Sequence, residues 1–247
     1  MRVHIKRSFD ASLNTYDSSC DIQRLVADHL AEKLDGKHKK ILEIGTGTGI
    51  YTDLLREKYP DSEITCVDIA HSLLKGAMEK HPENNYICAD GENLPISCQF
   101  DLITGSSALQ WFSNPAFSIP EMLKLLKPGG EFAFSIFAKG TFTEMAILEG
   151  MTGFGSVYNL RSGDEYKGIV DADYEEREYV LWFSSVREFL KKQKGTGATF
   201  TGASKFTTKS SYQKFIELYP ELFGENGRIP VTYNIFYMYG RKDDGSG

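Results

Sequence analysis

Gly45, Gly47 and Gly49 occupy alternate positions in KKILEIGTGTGIYTDLL, residues 39–55, between an apolar run and a helical one. Glycine at this density lets a backbone lie directly against a ligand. The pattern is GxGxG, not the GxGxxG of dinucleotide sites, and no Gly-Lys-Ser/Thr follows, which excludes a phosphate-cradling loop. Asp68 ends the next apolar run, 19 residues after Gly49 (68 − 49 = 19). A carboxylate there can accept both ribose hydroxyls of a nucleoside. Asp90 closes a third run, in CADGENLP, and can reach an adenine amino group. A pyrophosphate would want the extra glycine and a free helix N-terminus. The three run ends therefore point to one adenosine-sized ligand without phosphate.

These residues need elements that bring them together. KILEIG (40–45), EITCVD (63–68), NYICAD (85–90), FDLITGSS (100–107) and EFAFSIF (131–137) read as strands. Between them YTDLLREKY, SLLKGAMEK and PAFSIPEMLKLL carry apolar residues at helical spacing. The alternation predicts an α/β, doubly wound, mostly parallel sheet, whose ligands bind beyond the carboxyl ends of its strands. Upstream, Ile22, Leu25, Val26, Leu30 and Leu34 form one helical stripe. Residues 139–183, rich in glycine and charge, read as a lid or insertion after strand 5, with Tyr179, Trp182 and Phe183 as its core. Beyond it come a helix (SSVREFLKKQKG), a strand-like ATFTGASKF, a second helix (SSYQKFIELY) and a last strand (VTYNIFYMYGRK). Two strands added to five suit the seven-stranded variant of the fold. The organisation is one domain over 1–247. It comprises an N-terminal helix region (9–35), a cofactor-binding core (39–138), the lid (139–183) and a C-terminal part (184–242), with DDGSG read as disordered.

LEIGTGTG, VDIA, ADGENLP and FDLITGSSALQWF resemble, in order and spacing, the motifs of class I S-adenosylmethionine-dependent methyltransferases, with a Rossmann-like fold. The resemblance implies that Gly45 and Gly47 lie under the amino-acid part of S-adenosylmethionine, with Glu43 holding the loop. It implies Asp68 on the ribose hydroxyls and Ile69 against the adenine. Asp90 and the backbone of Gly91 and Glu92 would meet the adenine edge, and the backbone of Ser106 the methionine moiety.

The acceptor can be narrowed by acidity. A carboxylate is ionised at neutral pH and needs no general base, whereas an alcohol or amine does. After the fourth strand stand Gln110 and Trp111, which orient a carboxyl group but take no proton. His4, His29, His38, His71 and His81 fall outside the crevice or on helix faces. An acidic acceptor follows.

The ends of the chain select further. SFDASLNTYDSSCDIQ, ALQWF, REFLKKQKGTGA and GRIPVTYNIFYMYGRK resemble segments of the malonyl-[acyl-carrier-protein] O-methyltransferase family of biotin biosynthesis. That resemblance runs from Phe9 to Arg241, weakest between Thr141 and Glu178. It implies methylation of the free carboxylate of a malonyl thioester, with S-adenosylhomocysteine as the other product and no metal. Tyr16 would close over the cofactor and shape the acceptor pocket, and Gln23 would lie near the cofactor's carboxylate. The substrate carboxylate wants a cation or strong donor in a dry pocket. Arg228 is the first candidate, with Lys139 and Arg161 as competitors.

A net charge of −6 argues against a nucleic-acid surface. Carrier proteins are acidic, so docking needs a local positive patch, and Arg187, Lys191, Lys192 and Lys194 supply one. Cys20, Cys66, Cys88 and Cys98 make no CxxC pair and read as buried reduced thiols. MRVHIKRSFD lacks a signal-peptide core and no apolar run spans a bilayer, which predicts a cytoplasmic protein. Competing readings are a methyltransferase for another small carboxylic acid or quinone-type acceptor, a non-catalytic cofactor binder, and an NAD-linked oxidoreductase. GxGxG and the missing hydride-transfer acid disfavour the last.

Overall fold

The computed structural model describes residues 7–10, 12–155, 159–198 and 208–243. The N-terminal part supplies α1 (Leu13–Tyr16) and α2 (Asp21–Lys33). The core alternates β1 (Lys40–Ile44), α3 (Ile50–Lys58), β2 (Glu63–Asp68), α4 (His71–Lys80), β3 (Asn85–Cys88), β4 (Phe100–Ser106), α5 (Pro115–Leu123) and β5 (Leu126–Phe137). After it come α6 (Thr143–Thr152), β6 (Asp173–Phe183), α7 (Val186–Gly195), α8 (Lys209–Phe223) and β7 (Ile229–Arg241).

The seven strands form one sheet in the order β3-β2-β1-β4-β5-β7-β6. β1 pairs in parallel with both β2 and β4, so the strand order reverses there and a crevice opens beyond Ile44 and Ser106. β7 runs antiparallel between β5 and β6. Apolar clusters cover both faces. One gathers Val26, Leu30, Ile41, Leu55, Phe189, Phe215 and Tyr237. The other gathers Leu42, Ile44, Phe134, Phe236 and Met238. Ile41 and Leu42 fall in opposite clusters because successive strand side chains alternate in direction.

Three expectations are corrected: the lid, the α2 stripe and the burial of all four cysteines. The sixth strand is Asp173–Phe183, inside the segment read as a lid, and it pairs with β7 along its whole length. ATFTGASKF is not described beyond Ala198, which stands in a turn, and the last four residues of DDGSG are likewise outside the described residues. In α2 the buried stripe is Ile22, Val26, Ala27 and Leu30, while Leu25 is 43% exposed. The four cysteines are free, but Cys88 and Cys98 are exposed. Cys88 lies on β3, which ends one side of the sheet among the described residues. Among the described residues no helix is long and apolar enough to cross a membrane.

Candidate functional site

The glycine loop leaves β1 through two backbone bonds, the amides of Gly45 and Thr46 donating to the Val67 carbonyl at 2.8 and 3.2 Å. Gly45, Gly47 and Gly49 have φ of 75°, 57° and 88°, in the left-handed region that side chains disfavour. Asp68 holds the loop from the next strand. Its Oδ2 accepts from the Gly47 amide at 2.8 Å and its Oδ1 from the Ala70 amide at 2.7 Å. Burial raises the Asp68 carboxyl above its usual range, opposed by these two backbone bonds.

Glu43 sits below the loop, 1% exposed, and its Oε2 accepts from Thr52 of α3 at 2.7 Å. Its Oε1 is buried without a described partner, and burial pushes the carboxyl up to about 7. Asp90 turns its own backbone, with Oδ1 accepting from the Glu92 amide at 3.0 Å. The Glu92 carboxylate accepts from the Ser113 and Asn114 amides at 2.8 and 2.9 Å, fixing the turn that leads into α5.

A cleft of about 780 Å³ opens over these groups. Gly45, Gly47, Asp68, Ile69, Asp90, Gly91, Glu92 and Ser106 all line it, as do Tyr16 and Trp111. Glu43 does not; its carboxylate meets Thr52 of α3 and Cys66 of β2, and no described hydrogen bond joins it to the loop it was expected to hold.

The N-terminal segment forms the roof. Tyr16 sits above Gly47, where its hydroxyl would be 3.9 Å from an added Cβ. Burial raises its phenol above the usual range, so it remains protonated. Asp17 pins this segment down, accepting from Thr48 at 2.5 Å and from Lys80 at 3.0 Å. Asp10 does the same further out, accepting from the Ser72 amide at 3.0 Å and its hydroxyl at 2.6 Å. Phe9 packs edge-on against Trp111, their ring centroids 5.6 Å apart.

A second cavity of about 590 Å³ lies behind this roof, sharing Phe9, Tyr16, Ser107 and Trp111 with the cleft. Gln110 faces it, 5% exposed, with Nε2 donating to the Ser107 carbonyl at 2.6 Å and Oε1 without a described partner. Gln23 lines this second cavity and not the first cleft. Its remaining polar lining comes from Ser107, Thr141, Gln193, Thr196 and Tyr233, and among the described residues it includes no Arg, Lys or His.

Arg228 is not brought to either cavity. It is exposed in the turn before β7, and its Nη2 donates to the Trp182 carbonyl at 2.6 Å. That hydrogen bond ties down the β6–β7 connection, which the sequence alone did not reveal because β6 was hidden. Lys139 is exposed, and Arg161 is occupied by the Phe112 and Ser113 carbonyls, each at 2.9 Å. Ser107, Thr141, Gln193, Thr196 and Tyr233 are the residues that sequence reasoning missed. Ser107 carries a φ of 58°, a local signal of a built site, but one visible only in the backbone. On α7, Arg187, Lys191 and Lys194 are exposed, while Lys192 pairs with Asp21.

Comparison with known proteins agrees with this arrangement. The Methyltransferase domain family matches residues 42–134. Malonyl-[acyl-carrier protein] O-methyltransferase 2 of Ilyobacter polytropus is 32% identical, covering 95% of this chain and 95% of its own. The malonyl-[acyl-carrier protein] O-methyltransferase of Acetivibrio thermocellus is 27% identical over 96% of this chain and 93% of its own. A phosphoethanolamine N-methyltransferase 2 of Haemonchus contortus, solved with S-adenosyl-L-methionine, superposes with a TM-score of 0.56 at 12% identity. It covers 95% of this chain and 57% of that one, a likeness of fold.

Proposed function

Since the chain belongs to the malonyl-[acyl-carrier protein] O-methyltransferase family, we propose that it methylates the free carboxylate of a malonyl thioester carried by acyl carrier protein. The product is the malonyl methyl ester that starts pimeloyl chain synthesis for biotin. When bound, S-adenosylmethionine supplies a sulfonium methyl, which the carboxylate oxygen attacks in line while the carbon–sulfur pair stays on sulfur.

The residues present suit that cofactor. Gly47 leaves its inner face open up to the Tyr16 hydroxyl, a space a side chain would narrow. Asp68 and Asp90 offer carboxylates and Ile69 an apolar surface around the same cleft. In this reading Asp68 takes the ribose hydroxyls, Asp90 and the Gly91–Glu92 backbone the adenine edge, and Ser106 the methionine end. Gln23 belongs with the acceptor.

The observation that carries the proposal is the second cavity, walled by Phe9, Tyr16 and Trp111 against the cleft and lined by neutral polar groups. No proton has to move, so no base is required. Trp111 orients the carboxylate, whereas Gln110, its amide nitrogen committed to the Ser107 carbonyl, offers an oxygen that meets N–H groups of the substrate. The shared wall excludes water, and a poorly screened carboxylate is drawn more strongly to a positive sulfonium as the two charges cancel. A cationic partner would weaken that attraction.

The test is mass spectrometry of malonyl-acyl carrier protein incubated with the protein and S-adenosylmethionine. One added methyl, absent with the acetyl carrier, is expected. No gain with the cofactor still bound would sink the malonyl reading. Arg228→Ala is expected to keep kcat/KM within about threefold and to cost about 1 kcal/mol in urea unfolding, the value of one exposed hydrogen bond. Asp68→Asn keeps the shape but turns one acceptor into a donor facing a backbone amide. Its cofactor affinity, measured calorimetrically, should fall by about 2 kcal/mol, roughly thirtyfold.

A further inference from the structure

Beside the second cavity lies a smaller pocket that shares Gln23, Gln193, Thr196 and Tyr233 with it and whose far wall holds Ser19, Asp21 and Lys192. The Asp21 and Lys192 side chains, 50% and 32% exposed, form an ion pair at that far wall. The pair joins the first residue of α2 to the last turn of α7. Together the two hollows trace a narrow, interrupted passage.

Its walls are held in place. Thr15 donates to the Gly195 carbonyl at 2.9 Å, and a Cβ on Gly195 would stand 2.2 Å from Ser19 Oγ. Gln193 lies along the passage, its Nε2 donating to the Ala198 carbonyl at 3.2 Å.

Two features say what chemistry the passage takes. Gln23 Oε1 and Gln110 Oε1 are both buried without a described partner, and Gln110 is 5% exposed. Buried amide oxygens without donors are costly, so an occupant bearing N–H groups is favoured. The helix that forms one lip also carries Arg187, Lys191 and Lys194 outward. An occupant tethered to an acidic body would be met at the mouth by positive charge.

We propose that this passage, from Lys192 and Asp21 past Gln193 and Gln23 to Gln110, admits the phosphopantetheine arm of the carrier protein. The assignment rests on the malonyl-carrier reading above. The arm is a thin chain with two amide N–H donors and ends in the thioester. Gln23 and Gln110 accept from those amides, and the malonyl end comes to rest against Trp111. The Lys192–Asp21 pair separates as the arm enters, freeing Lys192 for the arm's phosphate.

The experiment measures kcat and KM on malonyl-acyl carrier protein, with S-adenosylmethionine affinity by calorimetry in parallel. Gln193→Trp fills the passage and is expected to lower kcat/KM about tenfold or more with cofactor affinity unchanged. Gln193→Ala opens it and should raise KM about threefold to tenfold with kcat kept, through lost contacts along the arm. Should Gln193→Trp fail to fold, Gln193→Ala decides alone. A folded Gln193→Trp that turns over like the wild type, or a Gln193→Ala with unchanged KM, overturns the route while the malonyl reading stands. A wild-type protein that methylates only free acids overturns that reading instead, and removes the arm with it.

Discussion

Gly45→Ala is expected to abolish measurable S-adenosylmethionine binding and to destabilise the fold by about 3 kcal/mol. Two independent penalties meet at this position. The backbone stands at φ 75°, where a Cβ crowds the neighbouring carbonyl at a cost of roughly 1–2 kcal/mol. The added methyl would also lie 2.3 Å from the Ala108 Cβ, far inside contact distance, and relieving such overlap typically costs about 1–3 kcal/mol. Neither partner can yield cheaply. Gly45 is tied to Val67 by its amide, and Ala108 opens the helical turn carrying Gln110 and Trp111. Pushing them apart opens the floor of the cleft and shifts the wall shared with the second cavity. Calorimetry for binding and urea unfolding for stability check the two halves. Retained affinity in a folded Gly45→Ala protein would refute the close approach on which the loop's role depends.

Glu43→Gln should flatten the pH dependence of stability and leave the variant more stable than the wild type above pH 7 by up to about 3 kcal/mol. Burial raises the folded-state Glu43 carboxyl to about 7, whereas in the unfolded chain it ionises in the ordinary range near 4. Below both values the proton is held in either state and the group contributes no difference. Between them the unfolded chain has released a proton that the folded chain retains. Stability therefore falls as pH rises from about 4 to about 7, and the full penalty persists above that. Glutamine keeps an acceptor for Thr52 and removes the charge. Urea unfolding of both proteins at pH 5 and pH 8 is decisive. Parallel profiles would mean that Glu43 is ionised in the folded protein throughout.

Much of the core was legible because its strands are buried on both faces and read as short apolar runs. β6 was not. DYEEREYVLWF is an edge strand, with charged residues along its exposed positions, so its first half looks like a solvated loop. The cofactor cleft was legible for a related reason: Gly45, Asp68 and Asp90 each stand at the end of a run whose length betrays a strand. The second cavity draws Gln23 from α2, Thr141 from the turn before α6, Gln193 from α7 and Tyr233 from β7. No spacing in the chain connects those four, and only packing brings them together. Arg228 illustrates the converse. Its charge made it attractive for binding a carboxylate, but the turn on which it stands lies outside both cavities, and its guanidinium serves the Trp182 carbonyl.

The position of β7 bears on how the chain reaches this state. The final strand fills the gap between β5 and β6, with seven residue pairs on one side and eleven on the other. Until it emerges from the ribosome, both neighbours present unpaired backbone edges, and the Tyr237 and Phe236 side chains that complete the two apolar clusters are missing. Synthesis from the N-terminus thus leaves the nascent chain with two open edges until β7 has been made, a window in which pairing with other chains competes with its own closure. Slow production at low temperature, or a chaperone that shields strand edges, should therefore raise the soluble yield more than any change at the site.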